Sequence, residues 1–432
     1  MRRILVVDFR ELPPVKDQLK KCVRCGRCRT VCPVFAEIRN ETAAPRGHVF
    51  MVQALRDDKV QPETPVYDRL SNCLLCETCS INCPSGIDIP ELNKAARSFI
   101  YEKNPSVIKD LFLDRIWTNP ALIKLGGLFM WAVNKSGLQK AARSLGLTKL
   151  LPGDLSEAEQ IMQDVPRRSA RSILPEVSKA KGEKKYRVGY FLGCGTDLFS
   201  PSVAVATVRV LTSWGCEVII PRDMKCCGVP HAANGKMDSA REMAIHNLKV
   251  FNSLDLDYIV TDCASCSAAI SEKSLHLLLG NQGYDEEIEK FCSKVYDLNQ
   301  FLLQILEIKP EGLKPAHIKV TYHDPCHLAK AQDIRQEPRD ILRMIPGVEL
   351  VEMAESDRCC GGSGTFSITH YPLSMKVLGK KMDSIARTGA DVIVTCCPSC
   401  TMQLKHGTNL YNYQAPVKHP VELLAEACQP DI

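Results

Sequence analysis

The hydrophobic pattern changes along this chain, from helical spacing in the first part to short apolar runs in the second. Val49, Val52 and Leu55 recur at the spacing of one helix face, and three further helices are predicted between residues 86 and 150. From residue 186 onward, apolar runs such as "RVGYFL" and "DYIVT" alternate with longer amphipathic segments. Strands that alternate with helices predict parallel β-sheets.

The region from residue 186 onward contains an internal duplication. A strand-helix-strand-helix-strand order is predicted from residue 186, and the same order returns 132 to 134 residues later. The offset is measured between cysteines that follow corresponding strands: Cys194 and Cys326, Cys226 and Cys359, Cys263 and Cys397. So regular a repeat indicates two copies of one fold. We therefore expect an α+β multidomain protein, with a helical N-terminal module followed by two tandem α/β domains with parallel sheets.

Length and composition agree with several domains. The chain has 432 residues, of which 45% are hydrophobic and 24% charged, whereas a single domain usually has about 100 to 200 residues. The predicted boundaries are residues 1–100 for the helical module, 101–185 for a helical connector with a basic linker, 186–312 for the first α/β domain and 313–432 for the second.

The charge distribution and the N-terminal sequence limit the expected cellular location and the expected classes of binding partner. The net charge of +5 is accounted for by residues 161–187, which contain eight Lys or Arg and three Asp or Glu. Because this segment has no sustained periodicity, we interpret it as a solvated linker rather than a nucleic-acid site. The N-terminus lacks the continuous apolar run of a signal peptide, and no apolar stretch reaches the ~20 residues that span a bilayer. A cytoplasmic protein is expected, either free or peripheral at the inner face of the membrane.

One apolar stripe in the connector has two interpretations. It is either part of the core, which we favour, or a face that docks a partner or a membrane surface. Its members are Leu111, Leu113, Ile116, Trp117, Leu122, Leu128, Trp131 and Val133.

The first hundred residues contain a pattern that is typical of iron-sulfur proteins. "CVRCGRCRTVCP" and "CLLCETCSINCP" each hold four cysteines followed by Pro. In two-cluster ferredoxins, three cysteines of each run bind one 4Fe-4S cubane and the fourth binds the other cluster. A zinc site needs no run of four cysteines followed by Pro, and the run occurs twice here, so zinc is not the favoured metal. The predicted ligand sets are Cys22, Cys25, Cys28 and Cys83 for one cluster, and Cys73, Cys76, Cys79 and Cys32 for the other.

In the duplicated region, two neighbouring cysteines followed by Gly occur once in each copy, as "KCCGV" and "RCCGG". Adjacent cysteines bridge each other only with strain. Each copy's cysteines follow predicted parallel strands, whose carboxyl ends meet at one crevice. Five thiolates from three loops are more than one tetrahedral metal needs, so a larger cluster is predicted.

The spacing of these cysteines resembles the cysteine-rich CCG domains of the catalytic subunit of heterodisulfide reductase. Joined to a two-cluster module, the chain resembles the fused D-type subunit of heterodisulfide reductase and the iron-sulfur subunit of glycolate or D-lactate oxidases. The long segment between the two N-terminal runs is similar to helical ferredoxins of fumarate reductase and heterodisulfide reductase complexes. The resemblance implies one or two non-cubane 4Fe-4S clusters, with zinc as an alternative at one site. Their ligands would be Cys194, Cys226, Cys227, Cys263 and Cys266 in the first copy, and Cys326, Cys359, Cys360, Cys397 and Cys400 in the second.

The two relatives imply different functions. The first is electron transfer within a flavin-linked 2-hydroxyacid (glycolate or lactate) oxidoreductase. An FAD-containing partner subunit would oxidise the substrate. A further partner would be an electron-transfer flavoprotein or a quinone-linked membrane protein. The second is disulfide reduction at the CCG clusters. The complete Cys397 and Cys400 pair departs from the glycolate oxidase pattern and favours the second. We nevertheless predict the first function, with disulfide reduction as the alternative. No flavin or nicotinamide motif occurs here, since "GGSGT" lacks the G-x-G-x-x-G spacing.

The remaining candidates are interpreted as structural. Cys216, Cys292 and Cys428 are predicted to be small buried hydrophobic residues, and the Cys396 side chain should point away from that of Cys397. Three histidines lie near the predicted sites, and we expect them to be hydrogen-bond donors to ligands or plain loop residues rather than ligands, with delivery of a proton as the alternative role: His231, His323 and His327.

Overall fold

The computed structural model describes residues 9–12, 14–118, 120–150, 154–162, 165–280 and 283–428. The N-terminal module is helical, as predicted. Its helices pack around a core that includes Leu19, Val52, Leu92 and Ile100. The helices are Arg27–Val31, Pro33–Ile38, Pro45–Arg56, Thr64–Ser71, Thr78–Ile81 and Ile89–Lys103, with shorter turns at Phe9–Glu11, Pro14–Gln18, Leu19–Lys21 and Glu41–Ala43.

The connector is also built of helices, several of them short. Pro120–Lys135 is the longest of them. The others are Val107–Lys109, the wide turn Asp110–Ile116, Leu138–Ser144, Leu147–Leu150, Leu155–Ala158, Glu159–Met162 and Ala170–Ile173.

The first cysteine-rich domain has a five-stranded sheet. Its strands are β1 (Val177–Ser178), β2 (Tyr186–Tyr190), β3 (Cys216–Ile219), β4 (Tyr258–Thr261) and β5 (Val295–Asp297). The spatial order is β1-β3-β2-β4-β5, and all pairs except β1 with β3 are parallel. The sequence did not predict β1, which lies inside the basic linker. The helices are Cys194–Phe199, Pro201–Ser213, Val229–Ala233, Met237–Asn252, Ala264–Ala269, Glu272–Leu279, Asp285–Cys292, Leu298–Gln300 and Phe301–Ile305.

The second cysteine-rich domain repeats this architecture with a wholly parallel sheet. Its strands are β6 (Ile318–Tyr322), β7 (Val348–Leu350), β8 (Val392–Val394) and β9 (Val417–Lys418), in the order β7-β6-β8-β9. The predicted parallel sheets are thereby confirmed. The helices are Cys326–Ala329, Glu337–Met344, Phe366–Thr369, Tyr371–Ala386, Pro398–Leu410 and Pro420–Ala427.

One continuous apolar core joins the two sheets. Val188 and Tyr190 of β2 and Val320 and Tyr322 of β6 are fully buried in it. These residues lie in the short apolar runs that predicted strands. Burial of both sheet faces explains why the strands are nearly continuous in hydrophobicity. The domain boundaries inferred from the sequence stay a prediction.

Candidate metal centres

The two N-terminal cysteine runs adopt the same backbone conformation. Arg24 and Gly26 have positive φ in the first run, and Leu75 and Glu77 have positive φ at the same places in the second. A left-handed residue reverses the chain direction locally, which turns successive thiols toward one point. Glu77 does this without the freedom of glycine, at a strain of about 1 kcal/mol. The repeated strain indicates that the loop geometry is needed.

Each run is completed by the fourth cysteine of the other. Cys28 interacts electrostatically with Cys22, Cys25 and Cys83. In the second group, Cys79 interacts in the same way with Cys73, Cys76 and Cys32. The structure therefore brings together the two sets that the sequence proposed, although their role as ligands stays a prediction.

In the first cysteine-rich domain, five thiols form a continuous group at the carboxyl ends of β2, β3 and β4. The Sγ atoms of Cys194 and Cys226 are 3.4 Å apart. Cys226 also hydrogen-bonds Cys227, which reaches Cys266, and Cys266 reaches Cys263. Hydrogen bonds from Cys194 and Cys227 hold the pKa of Cys226 well below its usual value.

The second domain repeats this group. Hydrogen bonds connect Cys326 to Cys359, Cys359 to Cys360, and Cys400 to both Cys360 and Cys397. The hydrogen bond from Cys359, together with one from Cys400, lowers the pKa of Cys360 well below its usual value.

The turn after each cysteine pair needs glycine. Gly228 has φ +86° and Gly361 has φ +88°. A Cβ at Gly361 would lie 2.7 Å from the backbone oxygen of Ser374, and one at Gly228 would lie 3.2 Å from Cα of Ala240. Both the dihedral angle and the close helix therefore disfavour a side chain, more strongly at Gly361 than at Gly228.

The thiol groups of different domains are also in contact. Cys76 of the N-terminal module hydrogen-bonds Cys359, and Cys263 of the first cysteine-rich domain hydrogen-bonds Cys397 of the second. The sulfur atoms thus form a series from the N-terminal module, through the second domain, to the first.

This donor set fits iron-sulfur clusters. Burial and neighbouring thiols raise the pKa of most of these cysteines, including Cys79 and Cys400, above the usual value. Several such thiols lose their protons together only when a cation compensates the charge. Soft, all-thiolate sites are suited to iron-sulfur clusters or zinc.

The cysteine-rich domains enclose a large cavity with the N-terminal module and the connector. Its volume is about 1080 Å³. Cysteines of both domains line it, together with apolar residues of the connector such as Phe112, Trp117 and Leu122.

The three candidate histidines have different surroundings. His323 places a ring nitrogen within 4.8 Å of the sulfurs of Cys360 and Cys400, and its Nε2 has no hydrogen-bond partner among the described residues. His327 bridges domains, with Nδ1 3.0 Å from Oγ of Ser265 and Nε2 3.2 Å from the oxygen of Leu75.

His231 contacts the connector, with its Nε2 2.9 Å from the oxygen of Leu113, and it is also close enough to Cys226 to help lower the pKa of that thiol. All three histidines therefore lie near a cysteine group, and His323 is the one whose ring nitrogen groups with two sulfurs, those of Cys360 and Cys400.

The four remaining cysteines are not members of these thiol groups. Cys396 accepts hydrogen bonds from Nδ2 of Asn299 at 3.5 Å and from the hydroxyl of Tyr322 at 3.4 Å. Cys216, Cys396 and Cys428 are buried and Cys292 is half-buried.

Sequence reasoning missed two buried lysines and a serine beside the thiols. Nζ of Lys330 donates to Oγ1 of Thr78 at 2.7 Å, and its charge opposes the rise in pKa of Cys76 and Cys326. Lys381 acts on Cys359 and Cys360. Oγ of Ser265 lies 3.5 Å from Sγ of Cys397. The serine had a usable signal, because both copies read C-x-S-C, whereas the lysines had none.

Fold and site define a class: an iron-sulfur protein with a dicluster module and two cysteine-rich domains. Family profiles agree. A 4Fe-4S dicluster domain matches residues 18–87, a cysteine-rich domain matches 188–271 and 320–405, and the linker region of the glycolate oxidase iron-sulfur subunit matches 104–162.

Similar proteins narrow the class to a family. The chain is 31% identical to the "Probable glycolate oxidase iron-sulfur subunit" of Bacillus subtilis (strain 168), over 95% of this chain and 94% of that one. The chain belongs to the family of glycolate oxidase iron-sulfur subunits, and it is an iron-sulfur subunit of the oxidoreductase type.

Two further relatives show the breadth of the similarity. "Lactate utilization protein A" of Exiguobacterium sp. (strain ATCC BAA-1283 / AT1b) is 34% identical over 55% of this chain and 97% of that one. A subunit of the fumarate reductase (CoM/CoB) of Methanothermobacter marburgensis is 27% identical over 94% of this chain and 70% of that one. In the part of the chain that the structure describes, no helix is both long enough and apolar enough to cross a membrane.

Proposed function

We propose that this chain is the electron-transfer subunit of a flavin-linked 2-hydroxyacid oxidoreductase that acts on glycolate or lactate. The named relatives of glycolate oxidase and lactate utilization support this proposal. The partner is an FAD-containing subunit that oxidises the substrate, and the assembly is cytoplasmic, at the inner face of the membrane. The proposed cofactors are two cubanes on the N-terminal sets and a non-cubane 4Fe-4S cluster on each five-cysteine set.

The series of sulfur contacts carries the proposal. Bound clusters supply one-electron redox chemistry, and electron transfer between centres requires that their ligands lie close together. The contacts of Cys76 with Cys359 and of Cys263 with Cys397 provide this closeness at both domain boundaries.

The exposed end of the series is the proposed contact with the flavoprotein. Cys25 is exposed, and Val23 beside it is 70% exposed, whereas the ligands of the second set are more deeply placed. Near this end, Arg29 and Arg46 form salt bridges with Glu41, so the proposed contact surface carries charged side chains.

The residues around the sulfurs hold the series rigid. Arg97 donates to the backbone oxygens of Leu70 at 2.7 Å, of Cys73 at 2.9 Å and of Ala233 at 2.8 Å, which ties the N-terminal module to the first cysteine-rich domain. Lys330 holds the backbone oxygen of Asp357 at 2.6 Å, as well as Thr78. Buried cations and hydrogen bonds thus fix the module against both domains.

Disulfide reduction is the second candidate function. The complete Cys397 and Cys400 pair and the cavity beside both cysteine groups favour it, because such a site offers room for a small disulfide.

A reconstitution experiment separates the two functions. Anaerobically prepared protein, reduced by a viologen dye, should not consume small disulfides at an appreciable rate. It should accept electrons when a 2-hydroxyacid-oxidising flavoprotein and its substrate are added. Cys397→Ser should impair this transfer, and Cys396→Ser is the matched control that should not. Rapid viologen oxidation that needs a thiol heterodisulfide and is abolished by Cys360→Ser would establish the second function instead.

A further inference from the structure

The connector forms an apolar wall of the cavity, opposite the cysteines. The wide turn Asp110–Ile116 and the helix Pro120–Lys135 contribute this wall. Its apolar members are Phe112, Ile116, Trp117, Leu122, Leu128 and Met130. The cavity, at about 1080 Å³, is slightly larger than ordinary ligand pockets of about 300 to 1000 Å³, and part of it is the space beside the cysteines where the proposed clusters would lie. A mostly apolar pocket with the cysteines of the proposed clusters in its lining suits an apolar, redox-active ligand.

The wall is anchored to the first cysteine-rich domain. The oxygen of Leu113 lies 2.9 Å from Nε2 of the buried His231. Lys236 pairs with Asp110 and Asp114, and Oγ of Ser239 donates to Asp114 at 2.8 Å. Ionic and hydrogen-bonded contacts therefore hold the turn Asp110–Ile116, the first part of the wall, against this domain.

The outer side of the same connector is also apolar, and it is exposed. Leu125 is 63% exposed, Phe129 is 69% exposed and Ile108 is 79% exposed. Leu113 of the predicted stripe is core, but Leu111, Leu122 and Leu128 are not, so the core interpretation is wrong for those three positions. Residues 120–150 contain five Lys or Arg and no Asp or Glu. An exposed apolar helix in a purely cationic segment is typical of a surface that rests on anionic lipid.

We propose that the cavity binds an isoprenoid quinone, which enters from the lipid side of the connector. This inference rests on the proposed electron-transfer function. The quinone ring takes up two electrons, which originate from the reduced flavin of the partner and pass through this subunit, and two protons from water at the cavity mouth. It leaves as the quinol, and no bond to the protein forms. A water-soluble acceptor would not need an apolar passage beside an exposed apolar helix.

Gly126 provides a direct test of binding. It lines the cavity on the helix Pro120–Lys135, and a Cβ added there meets no heavy atom within 4 Å. Gly126→Phe should therefore fill the passage without a backbone clash, and it removes a residue that disfavours helix. Gly126→Ala is the matched control, because it adds only one methyl group.

The measurement is photolabelling of the cluster-loaded protein by a short-chain azido-ubiquinone, in the absence of any flavoprotein, followed by peptide mapping. We expect label in residues 110–130, about tenfold less of it in Gly126→Phe, and nearly unchanged label in Gly126→Ala. Equal labelling of wild type and Gly126→Phe, with unchanged iron content, would overturn the proposal. Because no flavoprotein is present, a failed reconstitution with hydroxyacid would refute the proposed function without affecting this result.

The lipid route is tested by sedimentation with phosphatidylglycerol vesicles. Wild-type protein should bind, and Phe129→Glu should reduce binding about tenfold through the loss of apolar contact and the added negative charge. Leu410→Glu is the control, since Leu410 is 46% exposed on the helix Pro398–Leu410 of the second domain. If wild type does not bind, or if Phe129→Glu binds equally well, the apolar face belongs to a protein partner and the lipid route is wrong.

Discussion

The two cysteine-rich domains share a fold and a cysteine pattern but differ in the charge around the thiols. Where the first domain has an aromatic ring, an amide and a carboxyl group, the second has an imidazole, an ammonium group and a thiol. The corresponding pairs are Phe191 and His323, Asn247 and Lys381, and Asp262 and Cys396. At these three positions the second domain is therefore the more electropositive of the two.

Asn247 and Lys381 show how one structural task is done with different charge. Asn247 accepts from the backbone N–H of Lys225 at 2.8 Å and donates to the oxygen of Cys226 at 3.2 Å. Lys381 donates to the oxygens of Glu355 at 2.7 Å and Ser356 at 3.2 Å. Both hold the loop before the cysteine pair, but only the lysine brings a cation to the site. Duplication preserved the scaffold, while the electrostatics of the two sites diverged.

The largest expected effect concerns metal content. If both domains hold four-iron clusters, the intact protein carries roughly sixteen iron atoms, and Cys227→Ser and Cys360→Ser should each lose about four of them. Iron and zinc analysis of anaerobically prepared protein measures this, with Cys396→Ser as the control that should lose none. If one of the two variants loses zinc where the other loses iron, the two domains differ in metal as well as in charge.

A second comparison concerns pH. Asp297 and His419 occupy matching helix N-cap positions, where each side chain accepts from the backbone N–H two residues later. Burial raises the pKa of Asp297 to about 6 and lowers that of His419 to about 4. The stability that Asp297 contributes is complete below its unfolded pKa and is lost as pH rises through about 6. The contribution of His419 is complete above about 6.5 and is lost as pH falls toward 4.

Replacement of Asp297 or His419 by Asn, which also caps helices, should reveal that the two residues change stability with pH in opposite directions. Relative to wild type, His419→Asn should gain about 3 kcal/mol of stability between pH 6.5 and 4, and Asp297→Asn should gain a similar amount between pH 4 and 6. Denaturant unfolding at several pH values measures both. Parallel slopes in the two variants would contradict the opposite burial effects.

The two glycine turns should differ in tolerance. Gly361→Ala should cost about 3 kcal/mol, because its Cβ would lie 2.7 Å from a backbone oxygen, whereas Gly228→Ala, at 3.2 Å from the nearest atom, should cost about 1 to 2 kcal/mol. Anaerobic denaturant unfolding of the two variants gives the comparison. Equal costs would mean that the helix behind Gly361 moves away easily.

The smallest effect tests the charge difference itself. Lys381→Met should lower the reduction potential of the second domain's centre by several tens of millivolts, because a nearby cation favours the reduced, more negative form. Asn247→Lys should raise that of the first domain's centre. Spectroscopically monitored redox titration measures both shifts, and unchanged potentials would show that the lysine's charge is compensated elsewhere.

Much of this protein was determined by sequence alone. The apolar runs predicted the parallel strands, and the repeat predicted two similar domains, because strand and turn formation depend on neighbouring residues. Cysteine spacing also predicted which thiols lie together within each domain. The antiparallel strand β1 was not predicted, because a strand of two residues has too little pattern of its own and forms only by pairing with β3.

Only the tertiary structure decided how the sites are joined. The contacts of Cys76 with Cys359 and of Cys263 with Cys397 link residues more than a hundred positions apart, and no local pattern encodes the relative placement of separately folded surfaces. The same is true of Lys330 and Lys381, which resemble ordinary helix lysines in sequence and become buried cations only when distant segments of the chain pack over them. The exposure of Leu125 and Phe129 was likewise decided by the tertiary structure, because another side of the connector faces the cavity. Helical periodicity predicts an apolar face but not whether another part of the protein covers it.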